Sequence, residues 1–289
     1  MTMATAADIQ FHYDVHNDFY ALFLDRTYRA YSCGVWESAD SLEAAQRAKI
    51  ERICAFAGIK SGSRVLDIGC GWGGLMQHAV QELGAREAVG LTLSEDQLAH
   101  VSALGDPRLK ASLQSWVGLS IAEPLFDAVT SVGAFEHFAS RDDRLQGRQR
   151  EIYQQFFRTC RRVSTEHAWL GLQTIVTVCG PRTLAEARDA RYLLDKVFPG
   201  SALPSVSDVQ ASAADLYEVA SVKRIGQDYA RTLACWRERL EAQRDTAAAR
   251  FGADVVEHYL HYFSAAERSF AAGVTDLLQV AFRPVAGAA

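Results

Sequence analysis

The chain has 289 residues, 49% of them apolar and 22% charged, enough to bury a core without help from disulfides or metal. Its 30 Lys and Arg against 35 Asp and Glu leave a net charge of −5, so no basic surplus exists to neutralise phosphates and no nucleic-acid partner is expected. No apolar run approaches the roughly 18 residues of a membrane span, the start MTMATAADIQ has neither a basic nor an apolar leader region, and the six cysteines are scattered with no CxxC pair, as in the reduced thiols of a cytoplasmic enzyme.

In chain order, residues 8–25 form an aromatic-rich helical segment with Phe11, Tyr13, Phe19, Tyr20 and Phe23. A turn-like stretch leads to Asp40, which with Glu43 makes a capping-box pattern. Leu42, Ala45, Ile50, Ile53, Cys54 and Ala57 then recur at helical spacing up to Gly58. Beyond Gly62 short apolar runs alternate with helical stretches. Strands are expected at 64–68, 88–93, 109–113, 126–132 and 168–176, with helices at 75–83, 95–104 and 148–163. A sixth strand at 216–225, helices at 229–247 and 254–272 and a last strand at 277–282 follow. The alternation predicts a parallel α/β sheet with right-handed crossovers. The two late helices leave far more chain than a hairpin needs, so they are expected to cover one end of the sheet. His258 and His261 lack a third candidate ligand, so no metal site is expected.

The segment Val65-Leu-Asp-Ile-Gly-Cys-Gly-Trp-Gly-Gly74 runs an apolar strand into glycines and then into a helix. In an open parallel sheet this turn lies where ligands meet bare main chain. From Gly69 the frame satisfies GxGxxG, yet Asp67 two places earlier suits a cationic ligand better than a pyrophosphate. The end of the second strand, Gly90-Leu-Thr-Leu-Ser94, lacks the carboxylate a nicotinamide cofactor's ribose would want. A small nucleoside-type ligand is the expectation.

These motifs resemble the first two motifs of S-adenosylmethionine-dependent methyltransferases and, more narrowly, the cyclopropane fatty acid synthase and mycolic acid cyclopropane synthase group. Further matches in the same order are Asn17-Asp-Phe-Tyr-Ala-Leu-Phe-Leu-Asp25, Tyr31-Ser-Cys33, Glu43-Ala-Ala-Gln46 with Lys49-Ile50, and Ser131-Val-Gly-Ala-Phe-Glu-His-Phe138. Phe198-Pro-Gly, Leu203-Pro-Ser205 and Tyr229-Ala-Arg-Thr-Leu233 complete the series. The resemblance implies a Rossmann-like class I methyltransferase fold: α/β, a seven-stranded, mostly parallel sheet with helices on both faces and a helical lid. It implies one methyltransferase domain over 1–289. Residues 1–60 would be a helical cover, 61–180 the cofactor-binding core, and 181–289 the lid helices and last two strands.

By the same resemblance the cofactor is S-adenosyl-L-methionine. Tyr31 and Ser32 would approach its methionine part, Asp67, Gly69 and Gly71 its amino acid end, and Thr92 and Gln97 its ribose. Trp116 would lie beside the adenine, and Val132 would also border the cofactor. Val117 stands where the family has a glutamate. The catalytic set would be Glu136 and His137 with Cys33, Tyr229 and Gln173. The matching residues of cyclopropane synthases help hold a bicarbonate that takes a proton from the methylated carbocation. Here Gln173 replaces a histidine, and Asp228 precedes Tyr229. A carboxylate near the ion would repel it. The expectation is therefore methyl transfer to carbon or nitrogen of an apolar small-molecule metabolite, in secondary metabolism. A cyclopropane synthase acting on an unsaturated fatty acyl chain is the runner-up. A cofactor-binding cyclase or partner protein without methyl transfer is the third reading. The expected partner is a small-molecule acceptor, with no integral membrane association, and a homodimer is left open.

Overall fold

A computed structural model describes residues 17–120 and 125–287. Most of the predicted 8–25 helix, including Phe11 and Tyr13, lies outside the described residues. Within them only α1 (Asn17–Tyr20) is helical there, and turns carry the chain onward. The later elements are α2 (Leu42–Phe56), β1 (Arg64–Ile68), α3 (Gly74–Gln81), β2 (Glu87–Thr92), α4 (Glu95–Ala103), β3 (Leu109–Leu113) and β4 (Phe126–Val132). A 3-10 turn, Phe135–His137, precedes α5 (Arg141–Leu145), α6 (Gln149–Arg162) and β5 (Ser164–Thr177). Then come α7 (Leu184–Tyr192), a π turn at Leu193–Val197, α8 (Val206–Ala213) and β6 (Tyr217–Arg224). The chain finishes with α9 (Gly226–Glu241), α10 (Arg244–Phe251), α11 (Ala253–Ala271) and β7 (Thr275–Pro284).

The seven strands form one sheet in the order β3-β2-β1-β4-β5-β7-β6. β1 to β5 run parallel, whereas β7 enters antiparallel between β5 and β6. Successive residues of a strand point to opposite faces, and the cores follow that rule. Val65 and Ala128 pack with Ile53 of α2 and Met76 of α3, while Leu66 and Val129 pack with Phe156 of α6 and Val209 of α8. Helices therefore cover both faces. A third core is rich in aromatic residues and joins Phe19, Tyr20, Phe23 and Trp36 to Trp236, Tyr259 and Phe263.

Two local expectations are corrected. The cap of α2 is Ser41, not Asp40: its hydroxyl accepts from Ala44 N at 3.3 Å. Glu43 turns away to Arg239, which donates to both carboxylate oxygens at 3.0 and 2.7 Å. The expected helix 229–247 is broken between α9 and α10 at Ala242 and Gln243. Gln243 leaves helical geometry at φ −119°, and its side chain donates to Leu22 O at 2.8 Å. That long-range bond helps set the break, which no Gly or Pro marks.

Candidate active site

β1 ends in backbone that no bulky residue would adopt readily. Gly69 and Gly71 have φ of +83° and +56°, the left-handed region that glycine enters without penalty. Gly69 N and Cys70 N both donate to Leu91 O, at 2.9 and 3.0 Å, which folds the turn onto the end of β2. A Cβ at Gly69 would stand 2.5 Å from Cβ of Ala134, so the turns after β1 and β4 are in contact. A Cβ at Gly74 would meet Tyr28 O at 2.4 Å, so the N-terminal segment crosses directly over the turn. These approaches enclose a cavity of about 310 Å³ at the carboxyl ends of β1, β2 and β4.

Every residue expected at the cofactor lines this cavity. Tyr31 stacks on Trp236 at 5.2 Å between ring centroids, with 29° between planes. Ser32 is fixed at its carbonyl by Gln46 Nε2 (2.7 Å) and at its hydroxyl by Lys49 Nζ (3.0 Å). Asp67 is buried, and burial lifts its carboxyl to about 6 although Thr130 Oγ1 donates to it at 2.8 Å. Thr92 Oγ1 donates to Gln97 Oε1 at 2.7 Å, tying β2 to α4 and leaving the Gln97 amide NH₂ for a ligand's hydroxyls. Trp116 packs on Phe138 at 5.0 Å, and its indole N–H has no partner among the described residues. Val132 closes the wall beside Gly133.

Of the five residues expected to be catalytic, only His137 lines the cavity. Burial lowers its imidazole to about 4, so the ring is neutral near pH 7, and it faces Phe198 at 5.8 Å. Glu136 lies behind the cavity wall, 2% exposed. A Cβ built on Gly133 would sit 3.9 Å from Glu136 Oε1 and 3.8 Å from Ser32 Cβ, which leaves only a glycine's width between the carboxyl and the cavity-lining serine. Burial raises Glu136 to about 7, against the hydrogen bond that Thr174 Oγ1 donates to its Oε2 at 3.0 Å.

Cys33 and Tyr229 belong to the aromatic core, near the start of α9. Burial, reinforced by Asp228, pushes the Cys33 thiol far above its ordinary range, so it is not a nucleophile. Asp228 itself accepts from Trp36 N at 3.0 Å. Gln173 pairs with Val132 across the sheet, and its carbonyl accepts from Gly133 N at 3.0 Å.

Sequence reasoning missed the residues that set the Gln173 amide. Arg52 has only donors, so Gln279 must turn Oε1 toward Arg52 Nη1, at 3.3 Å. Gln279 Nε2 then donates to Gln173 Oε1 at 2.8 Å. The Gln173 NH₂ is left buried and unpartnered among the described residues. Arg52 is anchored at the surface by Glu37, at 2.7 Å. Thr174 lies within the strand expected at 168–176, one residue from Gln173. Gln279 lies 106 residues further on, with no local signal to connect it. His258 and His261 are packing residues: His261 stacks on Tyr192 at 3.9 Å, and His258 Nδ1 meets the Tyr192 hydroxyl at 3.2 Å.

The cavity suits a nucleoside sulfonium. It offers a buried carboxylate at Asp67 for positive charge, bare main chain at Gly69 and Gly71, and a flat ring with a free N–H at Trp116. Among the described residues no helix is long and apolar enough to cross a membrane.

The family model for mycolic acid cyclopropane synthetase matches residues 2–280. Cyclopropane mycolic acid synthase 2 of Mycobacterium leprae is 35% identical over 94% of this chain and 91% of its own. Among solved structures, the cyclopropane synthase MmaA2 from Mycobacterium tuberculosis aligns with a TM-score of 0.87 at 31% identity, covering 97% of this chain and 99% of that one. Mycolic acid cyclopropane synthase CmaA1, complexed with SAH and CTAB, aligns with the same TM-score at 32% identity, covering 98% and 99%. With its fold, its cavity and its sequence in agreement over almost the whole length, the chain belongs to the mycolic acid cyclopropane synthetase family of S-adenosylmethionine-dependent methyltransferases.

Proposed function

We propose that the protein adds the one-carbon unit of S-adenosylmethionine to the double bond of an unsaturated acyl chain and closes it into a cyclopropane ring. The observation that carries this reading is Glu136, a buried carboxyl whose proton affinity sits near neutrality, one glycine away from the cavity. When bound, the cofactor supplies an electrophilic methyl, and the cation left on the acyl chain closes its ring once a proton leaves that methyl. Ring closure thus needs a base that plain methylation of an amine or activated carbon does not need at this step. A carboxyl with a pKa of about 7 is matched to that task. Thr174 holds the carboxylate in place, neutral His137 leaves the acyl cation unopposed by a second positive charge, and the aromatic walls exclude water. Asp67, Gly69 and Gly71 border the cofactor's amino acid end in this reading, with Thr92 and Gln97 at its ribose and Trp116 at its adenine. The relatives are cyclopropane synthases, which supports an acyl acceptor and reverses the order expected from the sequence alone.

Methyl transfer with all three hydrogens retained is the second reading, favoured by one observation: Gln173 stands where the family resemblance implies a histidine of the ion site, and Asp228 precedes Tyr229. The two are separated by supplying trideuteromethyl S-adenosylmethionine with monounsaturated acyl chains, as phospholipid vesicles and as acyl thioesters, and weighing the products. A saturated ring that keeps two deuterium atoms supports cyclopropanation. Retention of three deuterium atoms shows methyl transfer instead. Cofactor left unconsumed with every acceptor sinks both readings and favours a protein without transfer activity.

A further inference from the structure

Lys49 is a charged group at the cavity for which the sequence supplied no role. It sits in the middle of α2, 3% exposed, and lines the cavity with Ser32 and Asp67. Its Nζ donates to Ser32 Oγ at 3.0 Å and forms no ion pair among the described residues. An ammonium carries three donors, so two N–H groups remain for a ligand. A buried, unpaired cation is costly, and burial lowers Lys49 to about 8 despite the attraction of Asp25, Cys33 and Asp67. The fold does not need a lysine here: Ile50, Ile53 and Cys54 already bury the helix against β1 and α3. Asp67, which lines the same cavity, is a buried carboxylate, held by Thr130 at 2.8 Å. The cavity therefore presents one buried cation and one buried carboxylate, the complement of a zwitterion.

We propose that Lys49 holds the α-carboxylate of S-adenosylmethionine while Asp67 takes its ammonium, so that the amino acid end of the cofactor is read by two opposite charges. The assignment rests on the cofactor's amino acid end lying between the first strand's turn and the N-terminal segment. Arg29 also lines the cavity, but it is partly exposed and its charge is felt at His100 on α4. It is the control, not the partner.

The test is calorimetric titration of wild type, Lys49→Met and Arg29→Ala with three probes: S-adenosylhomocysteine, its carboxamide, and 5′-methylthioadenosine, which lacks the amino acid end. Wild type should prefer the carboxylate to the carboxamide by about 30-fold or more. In Lys49→Met the preference should vanish, while 5′-methylthioadenosine binds as before; Arg29→Ala should keep the preference. Replacing an unpaired buried charge with an apolar side chain of similar length is expected to be tolerated, and the wild-type comparison stands even if the variant does not fold. Equal binding of carboxylate and carboxamide by wild type overturns the proposal, as does an equal loss of all three probes in Lys49→Met. If wild type binds neither S-adenosylhomocysteine nor 5′-methylthioadenosine, the cofactor assignment falls and the role of Lys49 falls with it.

Discussion

Glu136 combines a carboxyl that burial makes half-neutral near pH 7 with a hydroxyl that steadies its ionised form. A base of this kind works only when deprotonated, so kcat should rise with pH through about 7 and then level off. Glu136→Gln keeps an oxygen for Thr174 but cannot take a proton. It should lower kcat by about 100-fold or more and abolish the inflection, with S-adenosylhomocysteine affinity changed by less than about twofold. Retention of the wild-type rate and pH profile in Glu136→Gln would remove the carboxylate from the chemistry. At this scale the cavity wall was legible where its residues fall in two short motifs at the ends of β1 and β2, and Tyr31, Ser32, Trp116 and Val132 were reached through the family resemblance. Lys49 and the Arg52–Gln279–Gln173 chain were not, since their meaning lies in hydrogen bonds between elements far apart in sequence.

The glycines of the first turn act in two distinguishable ways. Gly69 has both a left-handed backbone and Ala134 in the space a Cβ would take, whereas Gly71 has the backbone alone and open space beside it. Gly71→Ala should cost about 1–2 kcal/mol of stability from the backbone. Gly69→Ala should cost more than Gly71→Ala, because a clash at 2.5 Å is added, and should also weaken S-adenosylhomocysteine binding by shifting the turn after β4. Denaturant unfolding of the two variants side by side checks the order, and equal losses would refute the contact between turns. Element bounds were readable where apolar runs stop at turn residues: β1, β3 and β4 occupy the expected spans. β5 and β7 extend beyond their apolar centres because each pairs with neighbours through main chain, which polar residues such as Ser164 and Thr275 do equally well. The antiparallel entry of β7 was invisible, since hydrophobic periodicity carries no direction.

For the molecule as a whole, the site is built at a cost that pH should reveal. The folded protein keeps the Glu136 proton up to about pH 7, while the unfolded chain releases it near 4.5. Between those values the unfolded state binds fewer protons, so stability without ligand falls as pH rises, by about 3 kcal/mol at most from this group. Asp67 acts in the same sense between 3.8 and about 6, and Lys49 in the opposite sense between about 8 and 10.5. Melting curves of wild type and Glu136→Gln at pH 5 and 7.5 should show a smaller loss in the variant. Parallel losses would mean that Glu136 is ionised throughout.

The aromatic core has a further consequence, in time rather than space. Tyr31 stacks on Trp236, Gly34 N reaches Thr232 across 198 residues of chain, and Leu22 O waits for Gln243. During synthesis at about 5–20 residues per second, the N-terminal strap emerges on the order of 10–40 s before the helices that cover it. Phe19, Tyr20 and Phe23, all buried in the finished protein, lack those partners for that interval. The aromatic core is therefore among the last parts of the molecule to form, and Phe19, Tyr20 and Phe23 are the side chains most in need of cover on the nascent chain.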